Sequence, residues 1–467
     1  MTDSLRSSLE QGDWNLSLPM TMVVDGSDMQ LSECLRLLPG KRVTLAASWR
    51  KKPVIAKLFL PLAAKEQAAE LNGYAALTQA QISTPELLWS GTLDNGLLAV
   101  VYQKLENVES LASGVVGPKR AAFLTASFEL LSKMHRAGLW QADIHFDNFL
   151  LAGGTLHVID NATICQQAKS LSPEQALDNM AAFIAQFPWR ERAALLQSPA
   201  LGLPISADKK TARSNLDSRS RDIWWQRAHK YLKKIFRNCT AIAVSHKRGW
   251  YVAHQRGLDA SWLERFIAAP DSQVVKGELI KDGNSATVVR TRLGERSVII
   301  KRYNIKNTGH RLRRLFRETR ASNAWRAAHL LHMAGIKTPE PLVLLEKRRG
   351  PMRGVSYLVT ADAGGEEMLD TYQRREPTDD ELQEVREIFR IMGELQLCHG
   401  DFKAKNFLVT DSGVQLIDLD VLHAVKSRRR FARCARQDKE RFLRNWYAHP
   451  ATETRFKNLL ADVEGVR

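Results

Sequence analysis

Short apolar segments alternate with stretches of helical periodicity along this chain. The segments VTLAASW and PVIAKLFL, both before residue 61, predict strands because they are continuous and apolar. The stretch LAAKEQAAELNGYAALTQAQI, rich in Ala, Leu and Glu, predicts a helix that ends at Thr84-Pro85. A strand over 97–105, a helix over 119–138 and mostly helical patterns over 173–268 follow.

The same order of elements recurs in the second half. VVKGELI, SATVVRTRL and RSVIIKRY predict strands, and ETRASNAWRAAHLLHMAGI predicts a helix closed by Thr338-Pro339. SYLVT then predicts another strand, before a helix over 378–397. The repeated order predicts an internal duplication, with one domain at 1–268 and the other at 269–467.

Each half also carries the same polar residues, in QADIHFDNFLLAGGTLHVID and in HGDFKAKNFLVTDSGVQLID. In both, an Asn follows an Asp by five residues and a second Asp follows that Asn by twelve. These residues are Asp143, Asn148 and Asp160 in the first half and Asp401, Asn406 and Asp418 in the second. Three matched spacings in a matched order of elements argue against coincidence, so we expect two related sites.

Composition places the chain among soluble globular proteins of two or three domains. It has 467 residues, of which 44% are hydrophobic and 25% charged. The net charge of +17 favours an anionic partner: nucleic acid, an anionic membrane surface or a phosphorylated substrate. The chain has no zinc-ligand spacing, ribonucleoprotein-like motif or obvious recognition helix, so we expect no nucleic-acid partner.

The cysteines and the apolar runs bear on location. Five cysteines are scattered without a CxxC pair, which argues against a disulfide framework or a structural zinc site and favours a reducing cytosol. The first residues lack a signal-peptide pattern, and no run of 18 apolar residues occurs. We therefore expect a cytoplasmic protein without a membrane span.

The matched polar sets suit phosphoryl transfer from ATP. That reaction needs metal ions that bridge the phosphates and a carboxylate near the attacking hydroxyl. An Asp–Asn loop followed by an Asp at a strand end supplies both. We expect two catalytic bases, Asp143 and Asp401. We expect four ligands of Mg²⁺, which are Asn148, Asp160, Asn406 and Asp418.

Residues upstream are expected to bind the nucleotide. Lys57 in VIAK and Lys301 in VIIK would grip the phosphates, and Glu70 on the following helix would orient Lys57. The segment KDGNSAT would cover the phosphates through Gly283, Asn284 and Ser285, and LPGKR around residue 40 is a weaker counterpart in the first half. Asp420, which follows Asp418 by two residues, is expected to be structural.

The segment HGDFKAKN followed by LID resembles the catalytic loop and metal-binding Asp of the protein-kinase-like superfamily. VIIKRYNIKN, AWRAAHLLHMAGIKTPEPL and QLIDLD resemble, more narrowly, the bacterial lipopolysaccharide kinase family, which contains core heptose kinases and the Kdo kinase. With AELNGYAALTQAQISTPELL and ADIHFDNFLL, the resemblance covers most of the chain. It implies an α+β fold of two tandem protein-kinase-like domains, each with a small β-rich lobe and a larger helical lobe.

The resemblance also implies a function. It indicates an ATP- and Mg²⁺-dependent kinase for a sugar of the lipopolysaccharide core, with heptose the expected sugar and an anionic glycolipid the expected substrate. Such an enzyme would work at the cytoplasmic face of the inner membrane. Lys403 stands where kinases with hydroxyl acceptors commonly have a lysine, so it joins Asp401 as an expected catalytic residue. Nothing in the sequence indicates an oligomeric state.

Each half departs from the family pattern in a different place. The first has Gln141 where His is usual and His145 where Lys is common. The second has Ala324 where a helix Glu is expected, and Glu318 is a possible substitute. One half is therefore a candidate for a regulatory or substrate-holding domain, and the fuller catalytic loop favours the second half as the active one.

Two other interpretations stay open. A protein Ser/Thr kinase would use the same groups, although residues 421–467 are few for a protein-substrate lobe. A pair of pseudokinases with a regulatory or assembly role would explain the incomplete sets. ATP turnover separates this last interpretation from both kinases.

Two basic stretches remain. The run 301–320 holds eight Lys and Arg residues, which predicts either a solvated helix face or contacts with anionic phosphates and lipid headgroups. The stretch RDIWWQRAHKYLKKIFR is amphipathic and could touch a membrane interface, but a Trp pair in such a helix more often belongs to the core, which we favour here.

Overall fold

A computed structural model describes residues 2–11, 16–114, 120–198, 201, 209–283, 285–304, 318–350 and 352–461. It divides into two compact units, each of mixed α+β structure. The first unit comprises residues 1–187 and 193–224, and the second comprises residues 188–192 and 225–467.

The helices and strands are numbered in chain order. The α-helices are α1 (Thr2–Gln11), α2 (Ala64–Gln79), α3 (Leu111–Gly114), α4 (Arg120–Arg136), α5 (Pro173–Ile184), α6 (Arg192–Gln197), α7 (Lys209–Lys234), α8 (Ala260–Ala268), α9 (Pro270–Lys276), α10 (Arg320–Ala334), α11 (Met368–Arg374), α12 (Asp379–Glu394), α13 (Arg428–Arg444) and α14 (Pro450–Leu459). The strands of the first unit are β1 (Met20–Val24), β2 (Ser27–Leu38), β3 (Arg42–Trp49), β4 (Lys52–Phe59), β5 (Leu87–Thr92), β6 (Leu98–Gln103), β7 (Glu109–Ser110), β8 (Leu139–Gln141), β9 (Phe149–Ala152), β10 (Thr155–Val158) and β11 (Ile164–Gln166). Those of the second are β12 (Ile242–Lys247), β13 (Trp250–Gln255), β14 (Glu278–Asp282), β15 (Ala286–Leu293), β16 (Arg296–Tyr303), β17 (Pro341–Arg349), β18 (Met352–Ala361), β19 (Glu366–Glu367), β20 (Leu397–Cys398), β21 (Phe407–Thr410), β22 (Gly413–Leu416) and β23 (His423–Ala424).

The main sheets of the two units share five antiparallel strands in one order. That order is β2-β3-β4-β6-β5 in the first unit and β14-β15-β16-β18-β17 in the second. The first sheet adds β1 beside β2, and the second adds β13 and β12 beside β17. In each, a long helix, α2 or α10, follows the third shared strand. The shared order is what places Lys57 and Lys301 on equivalent strands, because β4 and β16 occupy the same place in their sheets.

The helical parts of the two units also match. Each has a three-stranded sheet, β10-β9-β7 or β19-β21-β22, and a two-stranded sheet, β11-β8 or β20-β23. In each, a 3₁₀ turn precedes β9 or β21 and another follows β10 or β22. Apolar side chains bury these sheets against the helices: Phe128, Phe149 and Phe183 are fully buried in the first unit. The paired turns and sheets hold the predicted catalytic segments in the same local scaffold twice.

The contacts divide the chain between residues 224 and 225, whereas the sequence predicts a boundary after residue 268. The patterns over 242–255 also form two strands, not the expected helix. β13 pairs with β17, and Trp262 and Phe266 of α8 pack in the core of that same sheet. Each strand has only six residues, so its pattern is too short to identify before its pairing partner, about 90 residues away, is known.

Smaller features bear on other expectations. Val274 of VVKGELI lies in α9, not in a strand, and Trp224 is buried, as the core interpretation predicts. No helix among the described residues is long and apolar enough to cross a lipid bilayer. Cys398 and Cys434 lie side by side, with Cα atoms 6.1 Å apart. They are 36 residues apart in sequence, and only the packing of α13 against β20 brings them together.

The assignment of α8 to the second unit can be tested by calorimetry. Phe266→Ala removes a fully buried ring from the second core and should lower the stability of that unit by about 3–5 kcal/mol. Phe128→Ala, which removes an equally buried ring from the first unit, is the matched control. We expect the two variants to lower different transitions in scanning calorimetry. A shift of the same transition by both would contradict the division between the units.

Candidate active site

In the first unit, the strand lysine lies between two carboxylates. Lys57 Nζ on β4 is 2.7 Å from Glu70 Oε1 on α2 and 3.6 Å from Asp160 Oδ1. Glu70 is fully buried, and the Lys57 side chain is only 12% exposed. A charge so far from solvent is tolerated only when paired, so the ammonium and the two carboxylates stabilise one another. The predicted pairing of Lys57 with Glu70 has the geometry that orients a phosphate-binding lysine.

Glu70 is held by further donors. The Tyr102 hydroxyl donates to Glu70 Oε1 at 3.0 Å, and the backbone N–H of Ala162 donates to Oε2 at 3.2 Å. Burial, reinforced by the charge of Glu70, raises the pKa of Tyr102 well above its ordinary value, so the hydroxyl remains a donor. Glu70 therefore connects the helix to the turn that follows Asp160.

Asp160 has a left-handed backbone, with φ 60° and ψ 56°, at the start of the 3₁₀ turn Asn161–Thr163. Asp tolerates this conformation better than most residues. Besides Lys57, its carboxylate contacts Arg42 at 3.3 Å and Arg36 at 3.9 Å. Burial alone would raise the pKa of Asp160, but these three cations hold it below its ordinary value. Asp160 is thus an ionised carboxylate that already has three basic partners.

The Asp–Asn loop of the first unit is fixed by its own side chains. Asn148 Nδ2 donates to the carbonyl oxygen of Asp143 at 3.1 Å, and the Asn148 carbonyl accepts from Ile159 N at 2.8 Å. Gln141 Nε2 donates to the Ile159 carbonyl at 3.1 Å. These bonds tie the catalytic loop to the strand end that carries Asp160. The Asp143 residue itself is exposed, as an acceptor-facing base must be.

The second unit repeats this scaffold. Asp418 has φ 60° and ψ 51° at the start of the turn Leu419–Val421, and its Oδ1 forms an ion pair with Lys301 Nζ on β16. Burial opposes ionisation of Asp418, but Lys301 holds its pKa below the ordinary value. The predicted lysine and metal-binding aspartate are therefore together in the second unit as in the first.

The catalytic loop of the second unit is more extensively bonded. Asn406 Nδ2 donates to the Asp401 carbonyl at 2.6 Å and to Oδ2 at 3.3 Å. Lys403 Nζ lies 2.9 Å from Asp401 Oδ2. Asn406 also accepts from Ile417 N at 2.9 Å through its carbonyl. Asp401 is thus contacted from two sides, and the catalytic role of Lys403 beside it stays a prediction.

Gln141 and His399 make the same contact. His399 Nε2 donates to the carbonyl of Ile417 at 3.1 Å, as Gln141 does to Ile159. In both units the acceptor is the residue just before the Asp that the sequence predicts to bind metal. Burial lowers the pKa of His399, which keeps the ring neutral with its proton on Nε2. The departure at Gln141 therefore preserves the hydrogen bond that links the loop to the strand end.

Two of the residues predicted to cover the phosphates lie in a turn of the second main sheet. Gly283 and Ser285 lie in the turn between β14 and β15, where their carbonyls accept from the side chain and backbone of Asn304. Asn284 is outside the described residues, and the phosphate-covering role of this turn stays a prediction. Most of the basic run 301–320 also falls in the undescribed range 305–317.

Glu318 does not take the place of the missing helix glutamate. It forms an ion pair with Arg326, with Oε1 2.6 Å from Nη2. Asp420, expected to be structural, instead lies beside the strand lysine, with Oδ2 3.8 Å from Lys301 Nζ. Its carboxylate also pairs with Arg320.

The residues that could hold Mg²⁺ have suitable chemistry. Carboxylate and amide oxygens are ligands that Mg²⁺ accepts, and it also takes phosphate oxygens of a nucleotide. Asp418 and Asn406 supply such oxygens in the second unit, and the bond from Ile417 N to the Asn406 carbonyl keeps their segments adjacent. In the first unit Asp160 and Asn148 are the counterparts. The donor set therefore fits the metal that phosphoryl transfer needs.

One protein-family model matches part of the second unit. Residues 272–462 match the model of the lipopolysaccharide kinase (Kdo/WaaP) family. The match lies within the second unit and spans less than half of the chain. Members of that family are ATP-dependent phosphotransferases, so the chain is a kinase. No curated protein matches the chain.

Several solved structures are similar to parts of the chain. WaaP in complex with acyl carrier protein is 21% identical, and the match covers 44% of this chain and 95% of WaaP, with a TM-score of 0.29. WbdD in complex with a kinase inhibitor is 14% identical over 43% of this chain and 48% of its own, with a TM-score of 0.29. Vaccinia related kinase 3 is 13% identical over 52% of this chain and 83% of its own, with a TM-score of 0.27.

Several residues around the two sites are not predicted as site residues by the sequence. They are Arg36, Arg42, Tyr102, Arg320 and Asp438. Arg42 is the last residue of LPGKR, which the sequence predicts only as a weak phosphate-covering segment. Asp438 on α13 accepts from the backbone N–H groups of His399 at 2.8 Å and Gly400 at 3.2 Å. A carboxylate so far along the chain gives no local sign that it supports the catalytic loop.

The shared role of Gln141 and His399 gives a direct test. In His399→Gln the amide can donate to the Ile417 carbonyl, so we expect phosphotransfer and thermal stability close to those of the unmodified chain. His399→Ala leaves that buried carbonyl without its donor, which costs about 1–3 kcal/mol and should lower both properties. Melting temperature and ATP turnover check this. Equal losses in the two variants would show that the imidazole itself is required.

Proposed function

We propose that the second unit transfers the γ-phosphoryl group of ATP to a hydroxyl of a lipopolysaccharide core sugar. The family match over residues 272–462 carries this proposal. Heptose is the sugar that the sequence resemblance indicates. The acceptor would be an anionic, lipid-linked glycolipid, met at the cytoplasmic face of the inner membrane.

The residues of the second unit have distinct parts in this reaction. Asp401 accepts the proton of the attacking hydroxyl, and Lys403, 2.9 Å away, offers a positive charge beside the transferring group. Lys301 binds phosphate oxygens once a nucleotide is present. Asp418 and Asn406 would hold Mg²⁺, which neutralises charge on the phosphates.

The first unit is proposed to be a second kinase-like domain with a regulatory or substrate-holding role. Asp160 is engaged by Lys57, Arg42 and Arg36 within 3.9 Å, so a metal ion would have to displace basic side chains that already neutralise it. Asp418, by contrast, has Lys301 as its close basic partner. Asp143 also lacks a neighbour like Lys403, because His145 lies against Asp147 at 3.2 Å.

The path of the chain after Asp418 favours a sugar over a protein acceptor. Protein kinases use a long segment after this aspartate to hold their peptide substrate. Here the turn Leu419–Val421 is followed at once by β23, and α13 begins at Arg428. The segment is thus too short to form a peptide-binding platform, which agrees with a compact acceptor.

Helix α13 offers a surface that suits an anionic glycolipid or membrane. Arg429, Arg433 and Arg436 are exposed at spacings that place them on one face, and none has an ion pair among the described residues. The opposite face buries Phe431 and Phe442. The same helix supports the catalytic loop through Asp438, so its basic face belongs to the active unit.

The proposed division of labour predicts which unit transfers phosphate. With γ-labelled ATP, Mg²⁺ and extracted core lipopolysaccharide, Asp401→Asn should lose label in the glycolipid by about 10²–10⁴-fold, the range of general-base catalysis. Asp143→Asn should retain it. Asp411→Asn, an exposed aspartate in the turn between β21 and β22, is the matched control.

Other outcomes of that experiment would overturn the proposal. Label lost only in Asp143→Asn would place catalysis in the first unit. Label on a protein and none on glycolipid would favour a protein Ser/Thr kinase. ATP binding without any transfer by the unmodified chain would favour the pseudokinase interpretation.

The basic face of α13 predicts binding to anionic lipid. Each basic residue near an anionic surface contributes about 1 kcal/mol, so the triple change Arg429→Gln, Arg433→Gln, Arg436→Gln should weaken binding to phosphatidylglycerol-containing vesicles about 100-fold. The triple change Lys52→Gln, Lys65→Gln, Lys169→Gln removes the same charge at exposed sites of the first unit and should have little effect. Sedimentation with vesicles measures this. An equal loss in both triple variants would show that net charge, not this face, binds the membrane.

A further inference from the structure

The two units supply a carboxylate to the strand lysine from different elements. In the first unit Glu70 on α2 contacts Lys57 at 2.7 Å. Glu70 stands fourteen residues before the Thr84-Pro85 pair, and Ala324 stands fourteen residues before Thr338-Pro339. Ala324 on α10 is only 2% exposed, so the equivalent place in the second unit is filled by a buried methyl group. The helix there has no carboxylate to offer Lys301.

The turn after the metal-binding aspartate shows the opposite difference between the two units. Two residues after Asp160 is Ala162, and two residues after Asp418 is Asp420. In the first unit, the N–H of Ala162 donates to Glu70 Oε2 at 3.2 Å, so the two positions are neighbours. Each unit therefore has one carboxylate and one alanine at this pair of positions, in opposite arrangement.

Asp420 is placed to do what Glu70 does. It is 5% exposed, and its Oδ2 is 3.8 Å from Lys301 Nζ. Arg320, in the first turn of α10, forms an ion pair with the same oxygen. Asn323 Nδ2, on the same helix, donates to the Asp420 carbonyl at 3.0 Å. In the second unit, helix α10 thus fixes the turn after Asp418, and that turn carries the carboxylate near Lys301. In the first unit, helix α2 itself carries the carboxylate.

We propose that Asp420 is the positioning residue for Lys301 and replaces the helix glutamate in the second unit. The inference rests on the proposed use of ATP by this unit. The Asp418 side chain is 27% exposed and that of Asp420 3%, so Asp418 is accessible to a metal and Asp420 is enclosed by Lys301 and Arg320. When phosphate oxygens replace Asp418 as the partner of Lys301, Asp420 remains as the fixed carboxylate that orients the ammonium group.

The proposed role of Asp420 can be tested by returning the carboxylate to helix α10. Asp420→Ala should raise the KM for ATP and lower kcat/KM about 10- to 100-fold, the usual effect of losing a supporting contact. The double variant Asp420→Ala/Ala324→Glu recreates the arrangement of the first unit and should recover most of the loss. Asp420→Asn keeps the size but not the charge and should resemble Asp420→Ala.

Calorimetry of Mg²⁺-ATP binding to the full chain gives a readout that is independent of the acceptor. All variants carry Lys57→Met, which removes the nucleotide-binding lysine of the first unit. The affinities should follow the same order as the KM values. Unchanged affinity and KM in Asp420→Ala would overturn the inference. A folded double variant without recovery would overturn it too, and a changed Mg²⁺ requirement in Asp420→Ala would make Asp420 a metal ligand instead. Failure of the proposed function differs from all of these, because the unmodified chain would then label no glycolipid while these binding differences persisted.

Discussion

Both sites depend on an ion pair between a lysine of the main sheet and an aspartate of a left-handed turn in the helical part of the same unit. Lys57 and Asp160 form it in the first unit, and Lys301 and Asp418 in the second. These side chains are 12–27% exposed, so neither charge is stable there without the other. The pair also brings the predicted nucleotide-binding lysine of one element to the predicted metal-binding aspartate of another.

The two units neutralise the charge of the buried strand lysine in different ways. In the first, a helix glutamate faces the lysine and an alanine occupies the turn. In the second, an alanine occupies the helix and Asp420 faces the lysine. A carboxylate at neither position would leave the lysine with one partner fewer, and carboxylates at both would place two like charges together. One carboxylate at either position satisfies the same electrostatic requirement.

The surroundings of the aspartate differ in a way that bears on catalysis. Asp160 is surrounded by Lys57, Arg42 and Arg36, while Asp418 has Lys301 and a neighbouring Asp420. A site already neutralised by arginines gains less from a metal ion. The catalytic loop differs as well, since Lys403 lies beside Asp401 in the second unit only. These contrasts agree with a division between an active and a supporting domain.

Local sequence determined much of this protein. Continuous apolar segments and helical periodicity predicted most of the elements, and the matched Asp–Asn–Asp spacings predicted both sites, because each set lies on one short turn–strand–strand segment. Only the tertiary structure showed that β12 and β13 extend the second sheet and that α8 packs in its core, since six-residue strands are defined by a distant partner. It alone shows the contacts of Arg42, Asp438 and Asp420, because charge pairing across elements leaves no periodic trace in the sequence.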